Sequence, residues 1–236
     1  MSNKPRKHSE EQKSRESSAR RMRGRWGAAR SASPTIPINP ERHLIVTEGE
    51  KTEPYYFEAI RGRINARYHG RWVTVQIVGA GANTVSLMNR ARQIASDDAT
   101  GFTHVWVVYD KDDFSSEDFN AVAEMCEHEH AGGAQFHAVW SNECFELWYI
   151  LHFEYMSSDL SRTSYASKLT ASLEAIGEGQ YRKNRSDMFD ILESRLDSAM
   201  ENASKLEQFN RGKTPADSAP GTTVHKLVDH LRPFFN

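Results

Sequence analysis

Three carboxylates, Asp110, Asp112 and Asp113, fall within four positions directly after the apolar run 105–109. Acids this close repel one another, so the cluster calls for a cation or for solvent to hold it. All-oxygen donors of this kind suit a hard ion such as Mg²⁺ or Mn²⁺. A further acid, Glu48, follows a second short apolar run at 44–46, and Glu143 and Glu146 follow a third at 135–140. A metal held by Asp110 and Asp112 polarises a phosphodiester and activates a water, while a glutamate moves the proton. Any one of these strand ends also reads as a polar loop after a buried strand. Their recurrence is what points to a site.

The acids converge only if the strands that carry them run side by side in one direction. Runs 44–46, 72–78, 104–109 and 135–140 have the β-branched and aromatic character of strands, and helical periodicity separates them. That alternation predicts an α/β fold: a Rossmann-like, mostly parallel four-stranded sheet with helices on both faces. In such a sheet ligands bind at the carboxyl edge, where all the acids then lie. Gly49 permits a sharp turn beside Glu48, and Pro54 suits the first turn of the next helix. The G-A-G-A-N stretch at 79–83 reads as a plain strand-to-helix turn. Ser115 or Ser116 caps the helix after the third strand, and Ser141 or Asn142 caps the helix after the fourth. In that last helix Glu143 and Glu146 share a face at i, i+3. Beyond Phe153 the chain reads as helix only, over 161–176, 187–209 and 223–231. Between the first two of these lies the basic string Y-R-K-N-R at 181–185, with Arg182, Lys183 and Arg185.

Charge is unevenly spread. Residues 1–30 hold ten Lys or Arg against three Glu, a net of +7, which leaves 20 basic and 29 acidic residues in the remainder. The basic segment has almost nothing apolar to bury and reads as disordered. Arg20, Arg21, Arg23 and Arg25 could track phosphates, and Trp26 could stack on a base. Three prolines at 34, 37 and 40 make a stiff linker. The expected organisation is a tail and linker over 1–40, an α/β domain over 41–155, and a helical region packed on it over 156–236. No stretch approaches a transmembrane span, which predicts a soluble, cytoplasmic protein without membrane partners. Cys126 and Cys144 have neither metal-ligand spacing nor disulfide density and read as core thiols.

The glutamate-glycine after the first strand and the D-x-D after the third resemble the TOPRIM domain of topoisomerases, bacterial primases and OLD-type nucleases. More narrowly, four stretches resemble the RloB family: L-I-V-T-E-G-E-K-T-E-P-Y-Y-F, V-W-V-V-Y-D-K-D-D-F, S-N-E-C-F-E-L-W-Y-I-L-H-F and the terminal T-T-V-H-K-L-V. The resemblance covers about 42–232, and S-N-x-C-F-E-L-W is its most specific part. It implies a TOPRIM-type product of a bacterial defence locus, often encoded near an ATPase. By the same resemblance Glu48 is the general acid or base and also a metal ligand, and Asp110 with Asp112 forms the metal pair. Glu53 stands where OLD-type nucleases carry a further acid. The family more usually has proline at position 143, which leaves Glu146 the better catalytic candidate, with Glu143 and Asp113 secondary. The basic tail lies outside the shared part.

The function these expectations favour is a Mg²⁺- or Mn²⁺-dependent nuclease effector of an antiphage, abortive-infection system. It would cut RNA (tRNA among the candidates) or DNA, with oligomerisation left open. The alternative is a non-catalytic subunit that binds nucleic acid or a partner for the ATPase. A topoisomerase is disfavoured because Tyr109 and Tyr155 both read as buried, and a primase because no zinc-binding module accompanies the acids. Deleting residues 1–30 is expected to weaken nucleic-acid binding and to flatten its salt dependence, since fewer counterions are released. The slope of log affinity against log salt reads this directly. An unchanged slope would reduce the tail to a solvated appendage.

Overall fold

The middle strand carries the architecture. β3 (His104–Asp110) is buried at every position, as its place in a sheet ordered β2-β1-β3-β4-β5 requires. β1 (Glu41–Thr47) and β4 (Gln135–Asn142) flank it, both parallel to it, and β2 (Val73–Gly79) pairs in parallel outside β1. These are the coordinates of a computed structural model, which describes residues 41–69, 73–81, 84–111 and 114–236. Asp112, Asp113 and the tail residues Arg20, Arg21, Arg23, Arg25 and Trp26 therefore lie outside the described residues, as do Trp72 and Asn83.

Strand alternation divides the sheet into two faces. Leu44, Val46, Val105, Val107 and Tyr109 face one way, onto Leu87 and Met88 of α2 (Thr84–Asp97) and Phe119 and Val122 of α3 (Ser116–Glu127). Ile45, Trp106, Val108 and Val139 face the other way, into the larger core. That core takes Tyr56, Phe57, Ile60 and Ile64 from α1 (Thr52–Tyr68) and Leu147, Trp148 and Leu151 from α4 (Glu146–Leu151). The helical extension completes it: α5 (Arg162–Ala175), α6 (Met188–Leu192), α7 (Leu196–Phe209) and α8 (Val224–Phe235). Ser115 caps α3, its Oγ accepting the Asp118 N–H at 3.1 Å. Cys126 and Cys144 are buried free thiols, and no described helix is long and apolar enough to cross a membrane.

Four expectations need correction. The region beyond Phe153 is not helix only: Gly221–Thr222 forms β5, antiparallel to Ser141 and Asn142 of β4. That pairing draws β4 on through Asn142, so neither Ser141 nor Asn142 caps a helix. α4 begins only at Glu146, and Glu143 lies ahead of it rather than on a shared helical face. The 187–209 stretch is broken by a 3₁₀ turn at Glu193–Arg195, so α6 and α7 are separate. Tyr155 is exposed at 41%, whereas Tyr109 is fully buried.

Just past α4, His152 is buried with its ring edge-on to Trp148. Its Nδ1–H donates to the Trp148 carbonyl at 2.9 Å. The neutral ring therefore keeps its lone pair on Nε2, which is buried without a hydrogen-bond partner. Protonation would place an unpaired charge in the core, and burial pushes the pKa from the ordinary 6.5 down to about 4. The unfolded chain then binds more protons than the folded one, so this stability is complete above about 6.5 and is lost as pH falls toward 4. His43 and His137, pushed down to about 3 and about 4 chiefly by burial, act in the same direction. Denaturant unfolding at pH 7 and pH 5 should show a clear loss, of which His152 supplies about 1–2 kcal/mol. His152→Leu should flatten the pH dependence by about that amount. A slope unaltered in the variant would show that His152 does not carry it.

Candidate functional site

The β1–β3 register sets Thr47 opposite Val108, so the chain leaving β1 emerges beside the end of β3. The Glu48 N–H donates to the Val108 carbonyl at 2.9 Å, carrying the pairing one residue past β1. The Glu48 carboxylate then reaches across, and its Oε2 accepts the Asp110 N–H at 3.1 Å. Asp110 in turn accepts the Phe145 N–H on Oδ2 at 3.1 Å, which ties β3 to the chain entering α4. Backbone amides thus hold two carboxylates that would otherwise repel each other.

Behind Glu48 the chain turns at Gly49 into α1, and Glu53 in the first helical turn folds its carboxylate back against that glycine. A Cβ at position 49 would lie 2.2 Å from Glu53 Oε2. The bare glycine backbone is what lets the acid sit there. Glu146, the first residue of α4, accepts the Tyr181 hydroxyl on Oε1 at 2.9 Å. The loop bearing Tyr181 is anchored to α1 as well, since the Thr52 hydroxyl donates to the Lys183 carbonyl at 2.8 Å.

Together these residues border one open cavity of about 570 Å³, lined by Glu48, Glu53, Asp110, Glu146, Lys51, Arg162 and Lys183 among others. Asp110, Glu53 and Glu146 are each only 5–6% exposed. Not every expected residue reaches it. Glu143 stands apart, beside Tyr165. Arg185 is spent on Asp187 at 2.8 Å and Glu178 at 3.2 Å. Arg182 borders a neighbouring surface hollow with Lys183 and Arg185. Arg162 and Tyr181 were not singled out in the sequence. They sit in the helical extension, and only tertiary packing brings them to the sheet edge.

Two phenols and one thiol at this edge stay neutral. Burial, then the nearby Glu146, holds the Tyr181 phenol far above its ordinary range. Burial does the same for the Tyr149 phenol, and for the Cys144 thiol with Glu146 and Asp110 adding to it. None of the three offers an anionic nucleophile.

The opposite, amino edge of the same sheet face holds a cluster that sequence reading missed. Glu41, His43 and His230 each present one ligand atom, all within 4.8 Å of one another. The Glu41 Oε2 lies 3.2 Å from His43 Nε2 and 3.4 Å from His230 Nε2. His104 stacks on His43 at 5.2 Å and meets His137 through a 3.0 Å ring-nitrogen contact. Burial foremost, then the neighbouring imidazoles, keeps His43 neutral at pH 7, with its pKa near 3. Each histidine alone is an ordinary strand or helix residue. No spacing in the sequence announces the group. Along β1 the cluster lies roughly 16 Å from Glu48, five residues at about 3.3 Å each.

Neither a curated protein nor a solved structure matches the chain. The family model for RloB-like proteins matches residues 43–231. That span begins in β1, takes in the carboxyl-edge cavity and its glutamate-glycine turn, and ends within α8. On that match the chain belongs to the RloB-like TOPRIM-domain family.

Proposed function

We propose that the carboxyl-edge cavity is the active centre of a metal-dependent nuclease that cleaves phosphodiesters in RNA or DNA as the effector of an antiphage system. The observation that carries this reading is the gathering of Glu48, Glu53, Asp110 and Glu146 around one cavity that Lys51, Arg162 and Lys183 also line. Buried carboxylates in that number suit a hard divalent ion, and the donor set is all oxygen, which fits Mg²⁺ or Mn²⁺. Glu48 and Asp110 would hold it, together with Asp112. When bound, the ion would supply Lewis-acid polarisation of a phosphodiester.

The chain's own residues do the remaining work. Asp110 is oriented by the Phe145 N–H and Glu48 by the Asp110 N–H, so neither carboxylate must reorganise when substrate arrives. Lys183 and Arg162 meet the phosphate charge at the cavity rim. Glu48 takes the proton from the attacking water. Tyr181 holds Glu146 at the cavity wall, where it would be a second carboxylate for proton transfer, relaying to the leaving oxygen a proton taken up from solvent. A nearby-encoded ATPase and the Arg-rich tail fit the same reading as partner and substrate grip.

Two outcomes follow. Glu48→Gln keeps shape and hydrogen bonding but cannot take up a proton, so cleavage of total bacterial RNA or plasmid with Mg²⁺ or Mn²⁺ should fall roughly 10²–10⁴-fold. Melting temperature and nucleic-acid affinity should hold, and phage protection should fall with the rate. Full protection by this variant would favour a non-catalytic subunit instead. Tyr181→Phe leaves the buried Glu146 carboxylate without its hydroxyl donor and should cost about 1–3 kcal/mol in denaturant unfolding. Adding Glu146→Gln should recover part of that loss. Additive losses in the double variant would mean that the two side chains are not coupled.

A further inference from the structure

We infer that the amino edge of the sheet is a second, chemically distinct cation site, in which Glu41, His43 and His230 take a borderline divalent transition ion of the Zn²⁺ class. This goes beyond the nuclease reading and does not depend on it.

Two of the three ligand-atom separations match those around a bound ion, and the two imidazole nitrogens stand within 4.8 Å of each other. Ligand atoms about 2.0–2.1 Å from a tetrahedral ion lie about 3.4 Å from one another. Glu41 Oε2 stands 3.2 Å from His43 Nε2 and 3.4 Å from His230 Nε2. A simple ion pair accounts for these contacts less well. Glu41 Oε2 and His43 Nε2 are both buried, yet neither makes a hydrogen bond in spite of their proximity. Two buried polar atoms that converge without bonding are what a cation between them would satisfy.

The donor set selects the ion. Two imidazoles and one carboxylate suit zinc and its neighbours, whereas Mg²⁺ takes oxygen ligands and keeps its waters. Three protein ligands leave a fourth position for water. One contact opposes binding: the Trp106 indole N–H points at His43 Nδ1 from 3.4 Å, which favours the proton on Nε2. Binding moves that proton to Nδ1 and leaves the buried indole N–H without its acceptor, a cost that the metal–nitrogen bond must exceed. The surroundings are otherwise arranged for a fixed ligand, with His104 at 4.5 Å from the His230 ring and Phe234 at 6.2 Å from His43.

The consequence is structural. Glu41 and His43 begin the first described strand, and His230 lies in the last helix, so the ion would clip together the two ends of the described residues. A clip that closes so long a loop stabilises the fold strongly.

The test uses untagged full-length protein stripped with EDTA. Zn²⁺ should bind at about one per chain by elemental analysis and raise the melting temperature by about 5–10 °C at saturation. Mg²⁺ at the same concentration should not reproduce the rise. His230 is about one-third exposed at 32%, so His230→Gln should fold and lose the rise, and Glu41→Gln should behave alike. Glu48→Gln should keep it, which separates this site from the carboxylate edge. An absent Zn²⁺ effect, or one retained in full by His230→Gln, would overturn the inference and leave the nuclease reading untouched.

Discussion

The carboxyl edge depends on two backbone amides that hold a carboxylate each. Glu48 and Asp110 stand close enough to repel, and the N–H groups of Asp110 and Phe145 point at their oxygens from 3.1 Å. Amides fixed in a strand end and a helix entrance cannot swing away, so each carboxylate keeps its position. Everything nearby serves that arrangement. Gly49 makes room for Glu53, β5 draws β4 past Ser141, and the extension brings Tyr181 over Glu146. The acids are thereby held in a rigid frame, as the proposed cation site requires.

How much of this the sequence revealed follows from the range of each interaction. Strand identity depends on local composition, and β1 to β4 all lie where the β-branched runs put them. Parallel order follows from the intervening helices. Glu48, Asp110 and Glu146 could be placed at one edge because strand direction brings them there, whereas Glu53 was pointed out only by the family resemblance. What stayed hidden needed contacts between distant segments. β5 is only two residues long and exists because Ser141 and Asn142 offer it a partner, so no periodicity betrays it. That pairing also moved the start of α4, which cost Glu143 its place beside Glu146. Arg162 and Tyr181 reach the cavity from a region whose local pattern says only helix and loop.

The histidine cluster was illegible for a different reason. Its members sit at strand starts and on a helix, positions where a single histidine is unremarkable, and they come from β1, β3, β4 and α8. Only the register that sets His43 beside His104 and His137 beside Trp106 turns scattered residues into a group. One sheet face thus presents carboxylates at one end and a histidine-rich cluster with Glu41 at the other. The separation of roughly 16 Å keeps the two donor sets from mixing.

α8 links those two ends. It starts directly after β5, whose residues pair with β4 at the carboxyl edge. It finishes among His43, Tyr68 and Phe189 at the amino edge, where Phe234 and Phe235 pack. At about 1.5 Å per residue its twelve residues span about 18 Å, close to the length of the strands beneath. Val224, Leu227, Val228 and Leu231 are fully buried along that span, so the helix cannot slide without opening the larger core. Opening at either edge therefore requires loosening the same helix. Local stability at the two ends is shared for that reason, and whatever tightens α8 against β1 also raises the cost of releasing β5 from β4. The carboxylate edge borrows rigidity from a segment that begins beyond residue 220 in sequence, which makes the helical extension part of the site's frame.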